Sequence, residues 1–130
     1  NRPADWPGRF DVSNWGFLSA RINGKRVGGA VVAFRSPDLD MLEGRDDLAV
    51  LWDIRVAPDA RGKGIGSALV AATEEWARER GARLLKVETQ NINVPACHFY
   101  AGHGFVLDSV DPSAYADHPD EIQLLWIKDL

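Results

Sequence analysis

Cysteine is scarce in this chain: Cys97 is the only one among 130 residues. A single thiol excludes an internal disulfide and a cysteine-rich zinc site, and we assign no metal site. Long apolar runs are lacking too, since none approaches the roughly 18 residues that a transmembrane helix needs. No signal-peptide pattern opens the chain either. We therefore expect a cytoplasmic protein that does not act at a membrane.

An excess of charge of one sign is also lacking. The net charge is -4 at pH 7, with 26% charged and 45% hydrophobic residues, which is an ordinary globular composition. A slightly acidic chain is poorly suited to binding nucleic acid or an anionic membrane, and it is compatible with a cationic substrate. A chain of 130 residues is long enough for one core, so we predict a single domain over residues 1–130.

Two common glycine motifs are missing, and a third pattern is present. No Gly-Lys-[Ser/Thr] string occurs, and the glycines Gly62, Gly64 and Gly66 do not fit the dinucleotide pattern G-x-G-x-x-G. They are interleaved with Arg61 and Lys63 and lead directly into a helix-like run. Glycine allows a ligand to approach the backbone closely, and the first turn of a helix presents N–H groups and the positive end of the dipole. The pattern predicts a phosphate site, with a tight packing turn as the alternative.

The rest of the chain predicts strands interspersed with two main helices. Asn23-Gly24 is typical of a two-residue hairpin turn, and Gly28-Gly29 indicates a bulge or a close backbone approach. Residues 1–10 are expected to be irregular. The predicted strands are 15–22, 27–34, 48–56, 84–89, 105–108 and 121–128, and the predicted helices are 66–80 and 95–101. On the longer helix, the positions predicted to face the core are Ile65, Ala68, Leu69, Ala72 and Trp76.

A second motif follows the strand–helix–strand unit: Asn93-x-x-Ala96-x-x-Phe99-Tyr100-x-x-x-Gly104-Phe105. Together with Arg61-x-x-Gly64-x-Gly66, it resembles the GNAT N-acetyltransferase superfamily over roughly residues 15–130. The resemblance implies an α/β fold of the α+β type, with a central, mixed, mostly antiparallel sheet and flanking helices. One parallel strand pair, carried here by residues 48–56 and 84–89, is expected to splay apart.

The first strand and two early helices of that superfamily are reduced or absent in residues 1–14. They build one wall of the acceptor pocket, so the acceptor is less well defined than the cofactor. The chain starts at Asn1 without a methionine, and whether an N-terminal piece has been removed stays open at this point.

The resemblance implies acetyl-CoA as the cofactor. Backbone groups of Ile54 and Val56 are expected to pair with the pantetheine like an added strand. N–H groups of the glycine-rich loop are expected to bind the pyrophosphate, and Asn93 the pantetheine amides. The full set of expected cofactor contacts is Ile54, Arg55, Val56, Arg61, Gly62, Lys63, Gly64, Ile65, Gly66, Ser67, Asn93, Ala96, Phe99 and Tyr100.

The resemblance also implies a direct attack by the amine, with Tyr100 as the general acid that protonates the departing thiolate. A phenol has a pKa near that of a thiolate's conjugate acid, which makes the transfer reasonable. An alkyl ammonium must first lose a proton, and Glu88 and Asp53 are the candidate bases. Glu88 is the first choice, and Asp53 is the second or binds the cation instead. Either carboxylate could serve only a structural hydrogen bond or salt bridge.

Further strings, among them Asp53-Ile-Arg-Val-Ala-Pro and Glu88-Thr-Gln-Asn-Ile-Asn-Val-Pro-Ala, resemble the streptothricin acetyltransferases. These enzymes acetylate an amine of the antibiotic and so confer resistance, which implies a small cationic amine as the substrate. Two alternatives stay open: a peptide or protein N-acetyltransferase, and a truncated module that binds acyl-CoA without turnover. A homodimer is also an open option.

Overall fold

The computed structural model describes residues 6–130, with the backbone alone at Pro7. The first half of the lead-in that was expected to be irregular lies outside this range. The described half of the lead-in begins with a one-turn helix, α1 (Trp6–Arg9), where an irregular segment was expected, and the Trp6 side chain is buried.

The described elements agree closely with the sequence prediction. Six strands are present: β1 (Gly16–Ile22), β2 (Lys25–Phe34), β3 (Leu48–Val56), β4 (Leu84–Gln90), β5 (Val106–Asp111) and β6 (Gln123–Asp129). The two longer helices are α2 (Ile65–Glu79) and α3 (Val94–Gly102). Single 3₁₀ turns occupy Asp40–Leu42 and Pro58–Ala60. The strand order is β1-β2-β3-β4-β6-β5, in a mixed sheet with helices, as predicted.

The chain divides into two compact units. One contains the described residues up to Leu85, together with Leu130, and the other contains Lys86–Asp129. Strand β4 begins in the first unit and continues in the second.

In the first unit, the predicted hairpin is confirmed. Ile22 pairs with Lys25 across a two-residue turn, and Asn23 and Gly24 have φ values of 51° and 81°. Two successive positive φ values are those of a type I′ turn, whose twist matches that of the strands it joins. Asparagine and glycine are the residues that adopt this conformation most readily.

Two bulges shape the same three-stranded region. In β2 the register shifts so that Val27 is the extra residue, one position before the predicted Gly28-Gly29. In β3 the partner of Val31 is Asp53 and the partner of Val32 is Leu51, so Trp52 is extra. A bulge bends its strand and redirects the side chains that follow it. Asp53 is therefore presented from a locally bent part of β3.

The core of the first unit has two parts. Trp6, Phe10, Trp15 and Trp52 form an aromatic cluster with ring centroids 5.6–6.2 Å apart. Helix α2 packs on β1, β2 and β3. The predicted core face of α2 is partly wrong, because the buried side of the helix is rotated about its axis relative to the predicted side. Ala68 and Ala72 are exposed and Trp76 is half-buried, whereas the buried set is Ile65, Leu69, Val70, Thr73, Glu74 and Ala77.

In the second unit, α3 follows β4 and has a defined beginning. The Asn93 side-chain oxygen accepts a hydrogen bond from the Ala96 N–H at 3.3 Å, and Pro95 lies in the first turn. Both features are favourable at a helix N-terminus. Strands β5 and β6 pair antiparallel, with Asp108 as an extra residue in β5.

Candidate active site

The glycine loop, residues 61–66, lies between β3 and α2 in the first unit and includes the first two residues of the helix. Arg61, Gly62, Lys63 and Gly64 are exposed. Gly62 and Gly64 have φ values of 77° and 78°, and a Cβ placed on either would meet no atom within 4 Å among the described residues. Glycine is therefore required at both positions by backbone conformation, and open space lies on the side where a side chain would project.

The N-terminus of α2 lies within this loop. Gly64, which has no side chain to cap the helix, precedes the first turn, and the residues of that turn include no acidic side chain. The first N–H groups of a helix carry the positive end of its dipole and favour an anion. Ile65 is an expected cofactor residue, but its side chain is buried against Gly28, which leaves its backbone N–H for that role.

Asp53 and Arg55 lie on the same side of β3 and pair with each other. The Arg55 Nε donates to the two carboxylate oxygens of Asp53 at 3.0 and 3.2 Å. The Asp53 side chain is 26% exposed and that of Arg55 is 65% exposed. The salt bridge considered from the sequence is therefore present. Ile54 and Val56 are half-buried, and their backbones pair with Ala30 and Gly28 of β2.

A cavity of about 580 Å³ lies over this part of the first unit. Its walls include the exposed ring of Phe17, the guanidinium-bearing Arg26 and Arg55, and the carboxylate of Asp53. Glycines of β2 also line it. The cavity therefore offers an apolar surface and both signs of charge to a ligand.

Helix α3 carries the second group of predicted residues. Tyr100 is 5% exposed, and its ring lies 5.3 Å from that of Phe99 and 5.4 Å from that of Phe105. The Phe99 ring is also 4.5 Å from that of His103. Aromatic contacts of this kind hold the Tyr100 ring in one orientation. Ala96 is half-buried, and Asn93 caps the helix.

Glu88, on β4, is hydrogen-bonded to two side chains from other parts of the second unit. We call these three residues, Glu88, Tyr115 and Gln123, the carboxylate network. The Tyr115 hydroxyl donates to Glu88 Oε2 at 2.8 Å, and Gln123 Nε2 donates to Glu88 Oε1 at 2.8 Å. Partial burial, followed by the hydrogen bond to Glu88, raises the pKa of Tyr115 well above its usual value. Tyr115 therefore keeps its proton and remains a donor at neutral pH.

The loop that carries Tyr115 is anchored beside this network. The Ile122 N–H donates to Asn91 Oδ1 at 2.8 Å, and the Asn91 N–H donates to the Ile122 carbonyl at 2.9 Å. On the same strand as Glu88, the Thr89 hydroxyl accepts from Trp126 Nε1 at 3.0 Å. The end of β4 is therefore bonded to β6, and the residue that follows β4 is bonded to the segment before β6.

Sequence reasoning found Glu88 but not the partners of its carboxylate. Tyr115 is 27 residues away and Gln123 is 35 residues away. Gln123 did carry a signal, because it is the polar member of the otherwise apolar run Gln-Leu-Leu-Trp-Ile. Among residues 6–130, no three His, Cys, Asp or Glu side chains are placed to hold a metal ion. Over the same range, every helix is too short or too polar to span a bilayer.

The sheet order and the helices define the GNAT acetyltransferase fold, and solved structures bear this out. A crystal structure from Bacillus anthracis str. Ames, provisionally named a streptothricin acetyltransferase and containing acetyl coenzyme A, superposes with a TM-score of 0.74 at 29% identity. The match covers 86% of this chain and 60% of that one. The chain belongs to the acetyltransferase (GNAT) family, whose sequence model matches residues 2–105.

Curated relatives point in the same direction. The chain is 46% identical to streptothricin acetyltransferase A of Bacillus subtilis (strain 168), over 60% of this chain and 46% of the relative. It is 34% identical to a streptothricin acetyltransferase of Streptomyces lavendulae, over 81% of this chain and 51% of the relative. The chain therefore spans about half the length of the curated relatives that it matches.

Proposed function

We propose that this protein transfers the acetyl group of acetyl-CoA to the primary amine of a small cationic acceptor such as streptothricin, and so contributes to resistance against that antibiotic. The observation that carries the proposal is the glycine loop: Gly62 and Gly64 have left-handed backbones beside open space, and they precede a helix whose first turn holds no acidic side chain. The names of the similar proteins support the choice of acceptor.

The residues of the glycine loop fit the pyrophosphate of a coenzyme A. The loop adds the positive charges of Arg61 and Lys63 to the dipole of α2, and the space beside Gly62 and Gly64 is clear. When bound, acetyl-CoA supplies a thioester carbonyl that an uncharged amine can attack. The part of this chain is to hold the cofactor at the loop and to manage the protons of the acceptor and the leaving thiol.

Glu88 is the group best suited to accept the proton of the acceptor. Removing a proton from an alkyl ammonium with a pKa near 10.4 costs roughly 4–5 kcal/mol at pH 7. A carboxylate with both oxygens already oriented by Tyr115 and Gln123 still has free lone pairs, so it can attract the ammonium and take its proton, directly or through water. Asp53 is less suited, because Arg55 already pairs with it.

Tyr100 is the proposed general acid. Its ring is held by Phe99 and Phe105 in a buried position on α3. A phenol held in this way can donate its hydroxyl proton to the sulfur as the C–S bond breaks and the thiolate departs.

The test is release of free thiol from acetyl-CoA in the presence of streptothricin, lysine, polyamines or short peptides, followed by mass spectrometry of the acceptor. We expect turnover with streptothricin and its loss in Glu88→Gln. Glu75→Gln, which removes an exposed carboxylate on α2, is the matched control and should keep full activity. Turnover on peptides alone would make the protein a peptide acetyltransferase. Tight binding of CoA without turnover on any amine would make it a binding module.

A further inference from the structure

The carboxylate network contains two residues, Tyr115 and Gln123, that lie outside the glycine loop and α3. We propose that Tyr115 and Gln123 are positioning residues: their two hydrogen bonds fix the rotamer of Glu88 and hold its negative charge at one point for the ammonium group of the acceptor. This inference rests on the proposed function, in which Glu88 accepts the proton.

The geometry supports positioning rather than incidental contact. Each carboxylate oxygen of Glu88 has its own donor, and both distances are 2.8 Å, which is within the range of a well-formed hydrogen bond. A carboxylate has about four acceptor positions, so two remain for a substrate. Glu88, Tyr115 and Gln123 are all half-buried, which strengthens the two bonds relative to an exposed site.

The supports of the two donors are themselves anchored. Gln123 is the first residue of β6, and Ile122, just before it, is bound by Asn91 through two hydrogen bonds. Tyr115 sits in the loop between β5 and β6, where its carbonyl accepts from the His118 N–H. The loop thus delivers one donor and the strand delivers the other to the same carboxylate.

Other charged groups near the network must be considered when one of its donors is removed. Lys86 precedes Glu88 by two residues on β4 and is buried. The charge of Glu121 raises the pKa of Tyr115, and the Glu121 carboxylate lies 3.0 Å from His118 Nδ1. Substitutions at Tyr115 and Gln123 leave these groups in place, so a change in the conformation of Glu88 can be attributed to the lost donor.

The first experiment measures the rotamer of Glu88 without relying on turnover. Three-bond couplings along the side chains of the six glutamates are measured by NMR, and the Glu88 signals are assigned by their absence in Glu88→Gln. A side chain held in one staggered rotamer gives couplings that differ from the averaged values of an unrestrained side chain, so Tyr115→Phe should shift the Glu88 couplings toward the averaged values. Gln123→Leu should act in the same direction, and Ser113→Ala, in the same loop, should leave the couplings unchanged.

The second experiment asks whether this positioning matters for the reaction. In Tyr115→Phe, kcat/KM for the acceptor should fall by about tenfold, with the KM for acetyl-CoA unchanged. Identical Glu88 couplings in Tyr115→Phe and in the unmodified protein would overturn the inference, and Gln123→Leu repeats the test if the first variant folds poorly. Shifted Glu88 couplings in a protein that acetylates no amine would support the positioning role and overturn the proposed function.

Discussion

Gly28 lies where the backbone of β3 comes close to β2. A Cβ at this position would be 2.7 Å from the carbonyl oxygen of Arg55, and 3.3 Å from side-chain atoms of Ile65 and Leu69. The obstructing atom belongs to the backbone of the neighbouring strand, which cannot rotate away. The Gly28-Gly29 pair singled out in the sequence is therefore explained chiefly by close approach, with the bulge one residue earlier.

Gly28→Ala should therefore destabilise the protein by about 1–3 kcal/mol, the usual cost of forcing an extra carbon into a packed site. The change in the free energy of unfolding can be measured by urea denaturation. Gly102→Ala is the control, because a Cβ at that position meets open space. If both variants were equally stable, the close approach of β2 and β3 would be disproved.

Tyr100→Phe tests the proposed acid at the level of one oxygen atom. Removing the hydroxyl should lower kcat by about 10²–10⁴-fold, the range associated with general acid–base catalysis. The ring contacts with Phe99 and Phe105 are kept, so the affinity for CoA should not change. Turnover is measured by thiol release and CoA binding by calorimetry. Unchanged turnover with normal CoA binding would remove Tyr100 from the mechanism.

At the scale of elements, the glycine loop depends on residues that can adopt a positive φ. Gly64 has a positive φ, and so does Gly81 beyond the other end of α2; a Cβ at either position meets open space. The two residues therefore have the same conformational requirement at opposite ends of one helix. They differ in that only Gly64 lies at the proposed phosphate site.

Alanine at either position should cost roughly 1–2 kcal/mol of stability, because both backbones are left-handed. Only Gly64→Ala should also weaken CoA binding, by about tenfold or about 1.4 kcal/mol, since its methyl group occupies the space beside the helix N-terminus. Thermal unfolding and calorimetric titration with CoA separate the two effects. Equal CoA affinity in the two variants would mean that the phosphate site lies elsewhere.

The sequence predicted the elements well because their signals are local. The Asn23-Gly24 turn, the apolar run of β3 and Pro95 at the start of α3 each depend on neighbouring residues. The inward face of α2 was predicted less well. Alanines lie on several sides of the helix, so they do not mark one apolar face. The buried face also includes Thr73 and Glu74, which a hydrophobicity pattern predicts to be exposed to solvent. Thr73 is tolerated in the core because its hydroxyl donates a hydrogen bond to the Leu69 carbonyl at 2.8 Å.

The candidate site was predictable only in part, for a related reason. The glycine loop is contiguous and could be read directly, whereas the partners of Glu88 come from a distant loop and strand. Which residue of β6 faces Glu88 depends on strand register, and a shift of one residue would exchange Gln123 for an apolar side chain. The bulge at Trp52 is likewise a property of paired strands and has no signal in β3 alone.

At the scale of the whole molecule, acid should weaken the fold through carboxylates that are held ionised. Hydrogen bonds from Ser13 lower the pKa of Asp11, and the Arg45 guanidinium, bonded at 2.8 and 3.0 Å, lowers the pKa of Asp47. A lowered folded-state pKa stabilises the protein above the unfolded pKa, and this contribution is lost as the pH falls through the folded value.

We therefore expect the free energy of unfolding to decline between about pH 5 and pH 2, and Asp47→Asn to decline less steeply over that interval. Urea denaturation at a series of pH values gives the slopes. Asp46→Asn, at an exposed neighbouring position, should follow the unmodified protein. Parallel slopes for Asp47→Asn and the unmodified protein would contradict the assignment.

The type I′ turn at Asn23 and Gly24 also affects the order in which the strands form during folding. It joins β1 to β2 through the shortest loop that an antiparallel pair can have, so closing it costs little chain entropy. Hairpins of this kind form in about 1–10 μs, whereas β5 and β6 must first close a loop of more than ten residues. We expect β1 and β2 to pair early and to offer β3 an edge on which to assemble, which substitutions in β2 would reveal as high φ-values in folding kinetics.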